Sequence, residues 1–488
     1  MNSKIVTVVL ALGLLGVCVL VYFVDRRPFL FANATYLGGI IALQIALAGL
    51  SRYEEMYFPL LMGTFLWAGS SLPLTGAAMS LRWLFLGVGG FGGFVYWIKT
   101  PRARHFSALH LVSIFCVVAA LVSAIVSETP RTSLLKVGSL LLLFLYASAG
   151  ARLAVAGREA RFFDRLVLVC EILVYFSAAC YYALGFHVFG NPNALGAIIS
   201  VAAVPVLFWA AVIAEGRNLR QRRFFALLLC ALLLYSANSR ASVLSAIAVV
   251  LIFTIAIRHQ KLLVQVAFVS VFGIAVIAVF NPSRLDEMTS AFTGRFLLKE
   301  SGTHHGLFGS RLSPWNDTMQ VVKRHPWFGS GFGTSELGQY RPDVEVSSIY
   351  TTEGTNREHG DSYLALAEYM GLLGSLPFVI LLLMVLRLIV RTCRWMRATA
   401  SPYNYAVPLC LIVIAGLVHA CFEDWLFAVG SYLCLFFWVA AFLLADLVPT
   451  VNPQRSVWST RPLYDRASPQ ASTQVAAAQA VTALAKGS

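Results

Sequence analysis

Long apolar stretches, each closed by a short charged or Gly/Pro-rich turn, make up most of this chain. They run to roughly 17 to 22 residues, the length a helix needs to cross a bilayer core. Fourteen can be marked, starting near residues 5, 35, 58, 83, 109, 134, 166, 193, 224, 243, 262, 372, 405 and 427, of which the third, ninth and tenth are short. A transmembrane β-barrel is excluded, because its strands would alternate apolar and polar positions. The pattern predicts an all-α, polytopic transmembrane helical bundle of about 12 to 14 spans.

One long polar stretch, from Asn281 to about Gly371, interrupts the pattern. Within it Ser313-Pro314 predicts a helix start, with Ser as N-cap and Pro at the first helical position. Trp315, Met319 and Val322 follow at i, i+4 and i+7, one face of an amphipathic helix. That helix should end at His325-Pro326, before the glycine-rich turn Gly329-Ser-Gly-Phe-Gly333. A second short helix is predicted from Asp361 or Ser362 to Tyr369, ahead of Gly371. The chain then divides into an N-terminal bundle of about eleven spans over 1–280, a large loop over 281–371, C-terminal helices over 372–447 and a disordered tail over 448–488. Met1 to Val24 reads as the first span rather than a cleaved signal, since no small-residue cleavage site precedes Asp25-Arg26-Arg27.

Composition supports this division: 58% hydrophobic and 12% charged residues over 488 positions exclude a soluble multidomain protein. The net charge of +14 would fit nucleic acid, but the basic residues sit mainly in short turns between apolar runs. Nucleic acid is therefore excluded as a partner, and membrane lipid is the expected one. Counted by turn, the even turns and both ends hold 23 of the 37 Lys and Arg, the short odd turns 6 and the long loop 8. By the positive-inside rule both termini are then cytoplasmic and the long loop lies on the outer face. The nine cysteines fall in or beside apolar runs and none in the long loop, which argues against a disulfide framework and a Cys-ligated metal. No HExxH, CxxC or Asp-x-Asp motif marks the outer turns, so neither metal nor cofactor is expected.

Isolated ionisable residues at the outer membrane surface carry the chemistry, because burying them requires a partner. Arg240 is the only charge in the tight turn Tyr235-Ser-Ala-Asn-Ser-Arg-Ala-Ser242. Taken alone it reads equally well as an arginine snorkelling to lipid headgroups. Arg311 stands just before the amphipathic helix, where the macrodipole disfavours a cation and an anionic partner such as phosphate would be shared with the helix amides. His359 lies two or three residues before a helix that leads into the next span, and a histidine there is suited to take a proton from a sugar hydroxyl. The pairs Glu423-Asp424 and Asp343-Val-Glu345 read as solvated turns, and His304-His305 as a solvated loop pair.

Four segments in this order resemble the O-antigen ligases and related polysaccharide polymerases. They are Asn191-Pro192-Asn193-Ala194-Leu195-Gly196, then Ser239-Arg240-Ala241-Ser242, then Ser310-Arg311-Leu-Ser-Pro-Trp315 through Arg324-His-Pro-Trp-Phe-Gly-Ser-Gly-Phe-Gly333, and last His359-Gly-Asp-Ser-Tyr-Leu364 through Glu368-Tyr-Met-Gly-Leu-Leu-Gly374. The resemblance implies a multi-pass inner-membrane glycosyltransferase working at the periplasmic face. Its donor would be a glycan on undecaprenyl diphosphate, moved with inversion and without metal or cofactor. Arg240 and Arg311 would bind the diphosphate, and His359 would be the catalytic histidine. The family's usual His-Asn pair is here His359-Gly360, followed by Asp361. That departure, with Glu423-Asp424 on the same face, suggests acceptor contacts from Asp361, Glu423 and Asp424 to sugar hydroxyls. The long loop carries 11 Asp and Glu against 8 Lys and Arg, which leans towards a growing glycan chain as acceptor and away from a phosphorylated lipid A-core. Ligation to that core is the alternative, then a protein O-oligosaccharyltransferase, then a flippase for the same lipid-linked glycan. Transporters usually show repeated halves, and none is visible here.

Overall fold

The computed structural model describes residues 34–73, 75–99, 106–189, 191–258, 309–335 and 359–449, and these are helical apart from turns and short loops. In chain order the helices are α1 Ala34–Ser51, α2 Tyr53–Ala68, α3 Thr75–Lys99, α4 Ala108–Ile125, α5 Pro130–Val155, α6 Glu159–Ala183, α7 Pro192–Val212, α8 Arg217–Ala237, α9 Arg240–Ala256, α10 Gly309–Arg324, α11 Ser362–Thr399, α12 Ala406–Ala420 and α13 Tyr432–Leu447. Every apolar stretch marked in the sequence falls on one of these helices, except those starting near 5 and 262, which lie outside the described residues. Six helices are long and apolar enough to cross a membrane: the Ala78–Lys99 part of α3, and α4, α5, α6, α7 and α11. Three more, α9, α12 and α13, are apolar but shorter.

Local chemistry sets the helix starts. Pro130 and Pro192 open α5 and α7, where a missing N–H costs nothing because the first helical amides have no intrahelical acceptor. Ser431 accepts from the Leu433 amide at 3.2 Å and starts α13, and Ser107 pairs with His110 across the first turn of α4. Inside the bundle, α12 and α13 are buried on nearly every side, as expected of helices apolar all round. Helices α4, α6 and α11 instead leave Phe115, Ile125, Ile172, Leu372 and Leu383 exposed. Such an apolar exterior wrapped around an apolar centre is what lipid, and not water, can solvate.

The turns separate into two groups. At one end the Ser71 amide donates to the Val188 carbonyl at 2.7 Å, Arg82 to the Gly430 carbonyl at 2.7 Å, and the Ser127 hydroxyl to the Ser330 carbonyl at 2.8 Å. At the other, Arg158 pairs with Glu54, Arg161 with Glu55, and Trp209 donates to the Pro402 carbonyl. Among the described residues, the turns near 71, 127, 188, 330 and 430 thus gather at one end and those near 54, 158, 213 and 402 at the other.

Two expectations for the polar stretch, and one for the turn between α12 and α13, are corrected. Its helix begins at Gly309, with Pro314 inside it, so Ser313 is not an N-cap and Arg311 belongs to the first turn. A proline that close to the start removes only one backbone bond, and the helix continues through it. The inward face is Thr318 and Val321, flanked by Trp315 and Val322, while Met319 is 41% exposed. Thr318 can be buried because its hydroxyl donates to the Pro314 carbonyl at 2.7 Å, which rotates the packed stripe away from Met319. The third correction concerns Glu423 and Asp424, which are half-buried and tied into ion pairs with Arg311 and His359. The helix end at Arg324 and the short helix before Gly371 occur as the sequence predicts. Gly371, at φ 62°, breaks α11 into 362–370 and the span that follows. The eight described cysteines are free thiols. His304-His305, Asp343-Val-Glu345 and the tail beyond 449 lie outside the described residues.

Candidate functional site

Two of the sequence segments are pressed together. The N-cap residue Asn191 accepts from the Asn193 amide at 2.9 Å to start α7, and Asn238, left-handed at φ 49°, ends α8 so that Ser239 can start α9 at Arg240. Gly196 lies against this start. A Cβ there would meet the Ser242 hydroxyl at 2.8 Å and the Ser239 side chain at 3.1 Å, so only glycine lets the two helix starts approach. Behind them runs a buried chain of hydrogen bonds. Trp425 Nε1 donates to His419 Nδ1 at 2.9 Å, His419 Nε2 lies 3.2 Å from Ser242 Oγ, and Ser242 donates to Ser239 Oγ at 2.8 Å. Indole can only donate, so Nδ1 is the acceptor and Nε2 carries the proton that goes to Ser242.

Arg311 enters from α10. Its guanidinium donates to Glu423 Oε1 at 2.7 Å, and its stem packs on Gly360, where a Cβ would stand 3.0 Å from Arg311 Cδ. Gly360 is also left-handed, at φ 69°. Both facts favour glycine directly after His359. Arg311 and Glu423 join Arg240, Asn193, Ser239, Ala241 and Phe422 around an open pocket with about 340 Å³ of empty space. Both arginines therefore line one cavity from different helices, each half-buried, and Arg311 is tied to Glu423 as well.

His359 stands beside that pocket and is 1% exposed. Its amide and its Nδ1 both lie 3.0 Å from Asp424 Oδ2, so one carboxylate oxygen fixes backbone and ring together. Across the ring, Nε2 is 3.4 Å from Glu368 Oε1, and the Tyr369 hydroxyl is 3.5 Å from Nδ1. Burial disfavours the charged ring, but the hydrogen bonds and charges of Asp424 and Glu368 outweigh it and raise the pKa above its ordinary value. Burial likewise pushes Asp424 up, yet its bonds to His359 win and hold it below the usual carboxylate value, as expected of an ion pair. Asp361 is the N-cap of α11: its Oδ1 accepts from the Tyr363 and Leu364 amides at 2.6 and 3.2 Å. Ser362 donates to the Glu423 carbonyl at 2.6 Å and accepts from the Leu426 amide, stitching α11 to the turn that bears both acids.

All six residues singled out in the sequence therefore sit at one end of the bundle. Arg240, Arg311 and Glu423 line the pocket, His359 and Asp424 form a pair next to it, and Asp361 starts the helix behind them. Sequence reasoning missed Glu368 and His419, which fall within apolar helices. The one signal for Glu368 was its spacing of nine residues from His359, placing it two turns into the helix.

A search of curated proteins finds no match to this chain. Residues 225–379 match the family model described as O-antigen ligase, a stretch that contains Arg240, Arg311, His359 and Glu368 but ends before Glu423 and Asp424. Over that stretch this membrane protein is similar to the O-antigen ligase family, the one its motifs led us to expect.

Proposed function

We propose that this protein is a membrane glycosyltransferase that moves a glycan from undecaprenyl diphosphate to an acceptor hydroxyl with inversion, at the periplasmic face of the inner membrane. The observation that carries it is the meeting of two arginines on one pocket, with the histidine–aspartate pair next to it. The bundle then crosses the membrane 12 to 14 times with both termini cytoplasmic, the orientation the basic residues favour.

In this reading Arg240 and Arg311 grip the diphosphate. As the bond from the anomeric carbon to the diphosphate breaks, its electron pair moves onto phosphate oxygen, and fixed guanidinium groups stabilise the growing charge without reorganising. Glu423 aims Arg311, which reaches the pocket from a helix near the membrane surface. His359, neutral, donates Nδ1–H to Asp424 and takes the acceptor's proton at Nε2, a contribution of roughly 10² to 10⁴ in rate. Asp424 does for this ring what a buried acid does in a hydrolase triad: it selects the tautomer and stabilises the imidazolium.

The acceptor is a lipid-linked or growing glycan in the first reading, which makes the protein an exopolysaccharide or O-antigen polymerase. Ligation to lipid A-core is the second. A specific observation favours it: Glu423 and Asp424 are engaged by Arg311 and His359, so their acidity is not presented to an acceptor. The test is to supply the purified full chain in nanodiscs with an undecaprenyl-diphosphate repeat unit, with and without lipid A-core. A ladder without core is the expected result; a single glycan–core conjugate that needs core makes it a ligase, and no transfer to either overturns the glycosyltransferase reading.

A further inference from the structure

His359 has a carboxylate on each ring nitrogen, from two different elements: Asp424 at 3.0 Å on Nδ1 and Glu368 at 3.4 Å on Nε2. Glu368 is fully buried in the first part of α11, just before the break at Gly371. Its surroundings are held firmly. The Glu368 carbonyl accepts from the Ser330 amide at 2.9 Å, and the neighbouring Tyr369 carbonyl accepts from the Ser123 hydroxyl at 2.6 Å. The Tyr369 ring meets the imidazole edge-on, with centroids 5.1 Å apart.

A buried ion pair is a poor device for stability alone, since a well-packed apolar pair usually does as well or better. Asp424 already orients the ring, so a second buried acid on the opposite nitrogen calls for another explanation. The geometry at Nε2 supplies one: Glu368 is at ion-pair distance but not aligned as a hydrogen-bond partner, and Nε2 has no aligned partner among the described residues. Nε2, though buried, therefore has no hydrogen bond to give up when an acceptor hydroxyl engages it, and a carboxylate stands beside it.

We propose that Glu368 is a positioning residue that holds the imidazolium His359 becomes on accepting the acceptor's proton; this rests on His359 being the general base. In that step the acceptor O–H bond breaks, and its oxygen forms the new bond to the anomeric carbon. The bond to the diphosphate breaks with its electron pair, and the proton comes to rest on Nε2 between two carboxylates, to be released to water before the next turnover. Two other groups bear on the ring: the Tyr369 hydroxyl beside Nδ1, and Arg311, whose positive charge lies against Gly360 and works the other way. Burial also disfavours the charged ring, so the two acids together must exceed both opposing effects, and the raised pKa of His359 agrees.

Exchange of the imidazole C2 hydrogen for deuterium, read by mass spectrometry on the full chain in nanodiscs across pH, follows the titration of His359 without any turnover. Glu368→Gln should lower the midpoint by about 1 to 3 pH units, the usual effect of removing a close opposite charge. The acid limb of kcat/KM should move down by the same amount, and Glu368→Asp should fall between the two in both measurements. If either variant loses activity while the exchange midpoint stays where it is in the wild type, Glu368 is only structural and the proposal fails. If His359→Gln keeps wild-type turnover, the general-base reading fails as well, whatever Glu368 does to the ring.

Discussion

A base works in its deprotonated form, and that gives His359 a pH signature. Its pKa is raised above 6.5, so turnover should fall as pH drops through a midpoint above 6.5, where an unperturbed histidine would hold out to lower pH. Asp424→Asn removes one of the groups that raise it and should shift that limb downward while reducing kcat; a limb that does not move would mean Asp424 only anchors the backbone. His359→Ala should lower turnover by roughly 10² or more at unchanged expression. Arg240→Lys and Arg311→Lys should each lose most activity, because an ammonium offers no bidentate contact. Full turnover in either lysine variant would reduce that arginine to a source of positive potential. Arg240 was legible as the only charge in its turn, Arg311 by its place ahead of the amphipathic helix and His359 by its place before the helix that leads into the next span. Glu423 and Asp424 were visible but misjudged, since nothing local tells a solvated acidic turn from one folded onto an arginine and a histidine. Glu368 and His419 were hidden for the opposite reason: single polar residues in apolar helices look like part of the span until their partners from other helices are known.

Between elements, the site depends on two close approaches. Around α9, the chain from Trp425 through His419 and Ser242 to Ser239 ties the start of the arginine-bearing helix to α12. His419→Ala would leave Trp425 Nε1 without its acceptor and remove the donor to Ser242, a cost of about 1 to 3 kcal/mol per stranded buried group. Loosening Arg240 in this way should weaken donor binding, read as a raised KM, more than it lowers kcat. His419→Gln, which can donate and accept, should recover part of it, and equal losses in both variants and both parameters would show that the chain is only packing. Around α11, the break at Gly371 lies on the glycine-rich turn: the Leu372 amide donates to the Pro326 carbonyl at 2.7 Å, and a Cβ on Gly371 would stand 2.5 Å from the Trp327 carbonyl carbon. Gly371→Ala thus combines a left-handed φ, itself worth about 1 to 3 kcal/mol, with a collision against backbone. It should lower the melting temperature and, by displacing the helix that carries Glu368, turnover too; a variant with wild-type melting would refute the close approach. The sequence shows a turn at Gly329 to Gly333 and a helix end before Gly371, but not that one is built against the other. That pairing joins residues about forty positions apart, and no local pattern encodes it.

Among the described residues, periodicity and length were enough for the helices, because lipid leaves the backbone no alternative to satisfying itself within each span. The amphipathic face of α10 was misread, since a threonine that bonds its own helix can replace a methionine on the packed side. Our proposal for which end of the bundle faces outward rests on charge alone, 23 Lys and Arg on one set of turns and ends against 6 on the other. The protein carries its own reporter for this. Cys421 is the exposed cysteine among the described residues, and it adjoins Phe422 and Glu423 at the pocket. Ala398, at the end of α11 that leads away from the site, is exposed too. With the pocket on the periplasmic side, a membrane-impermeant maleimide added to intact spheroplasts should label the wild type and not Cys421→Ser. In the Cys421→Ser background, Ala398→Cys should label only after the membrane is opened. Donor lipid, by filling the pocket beside Cys421, should slow the first reaction and leave the second unchanged. Labelling of Ala398→Cys in intact spheroplasts, with Cys421 protected until permeabilisation, would turn the bundle over and put the site on the cytoplasmic side, where an extracytoplasmic transfer could not take place.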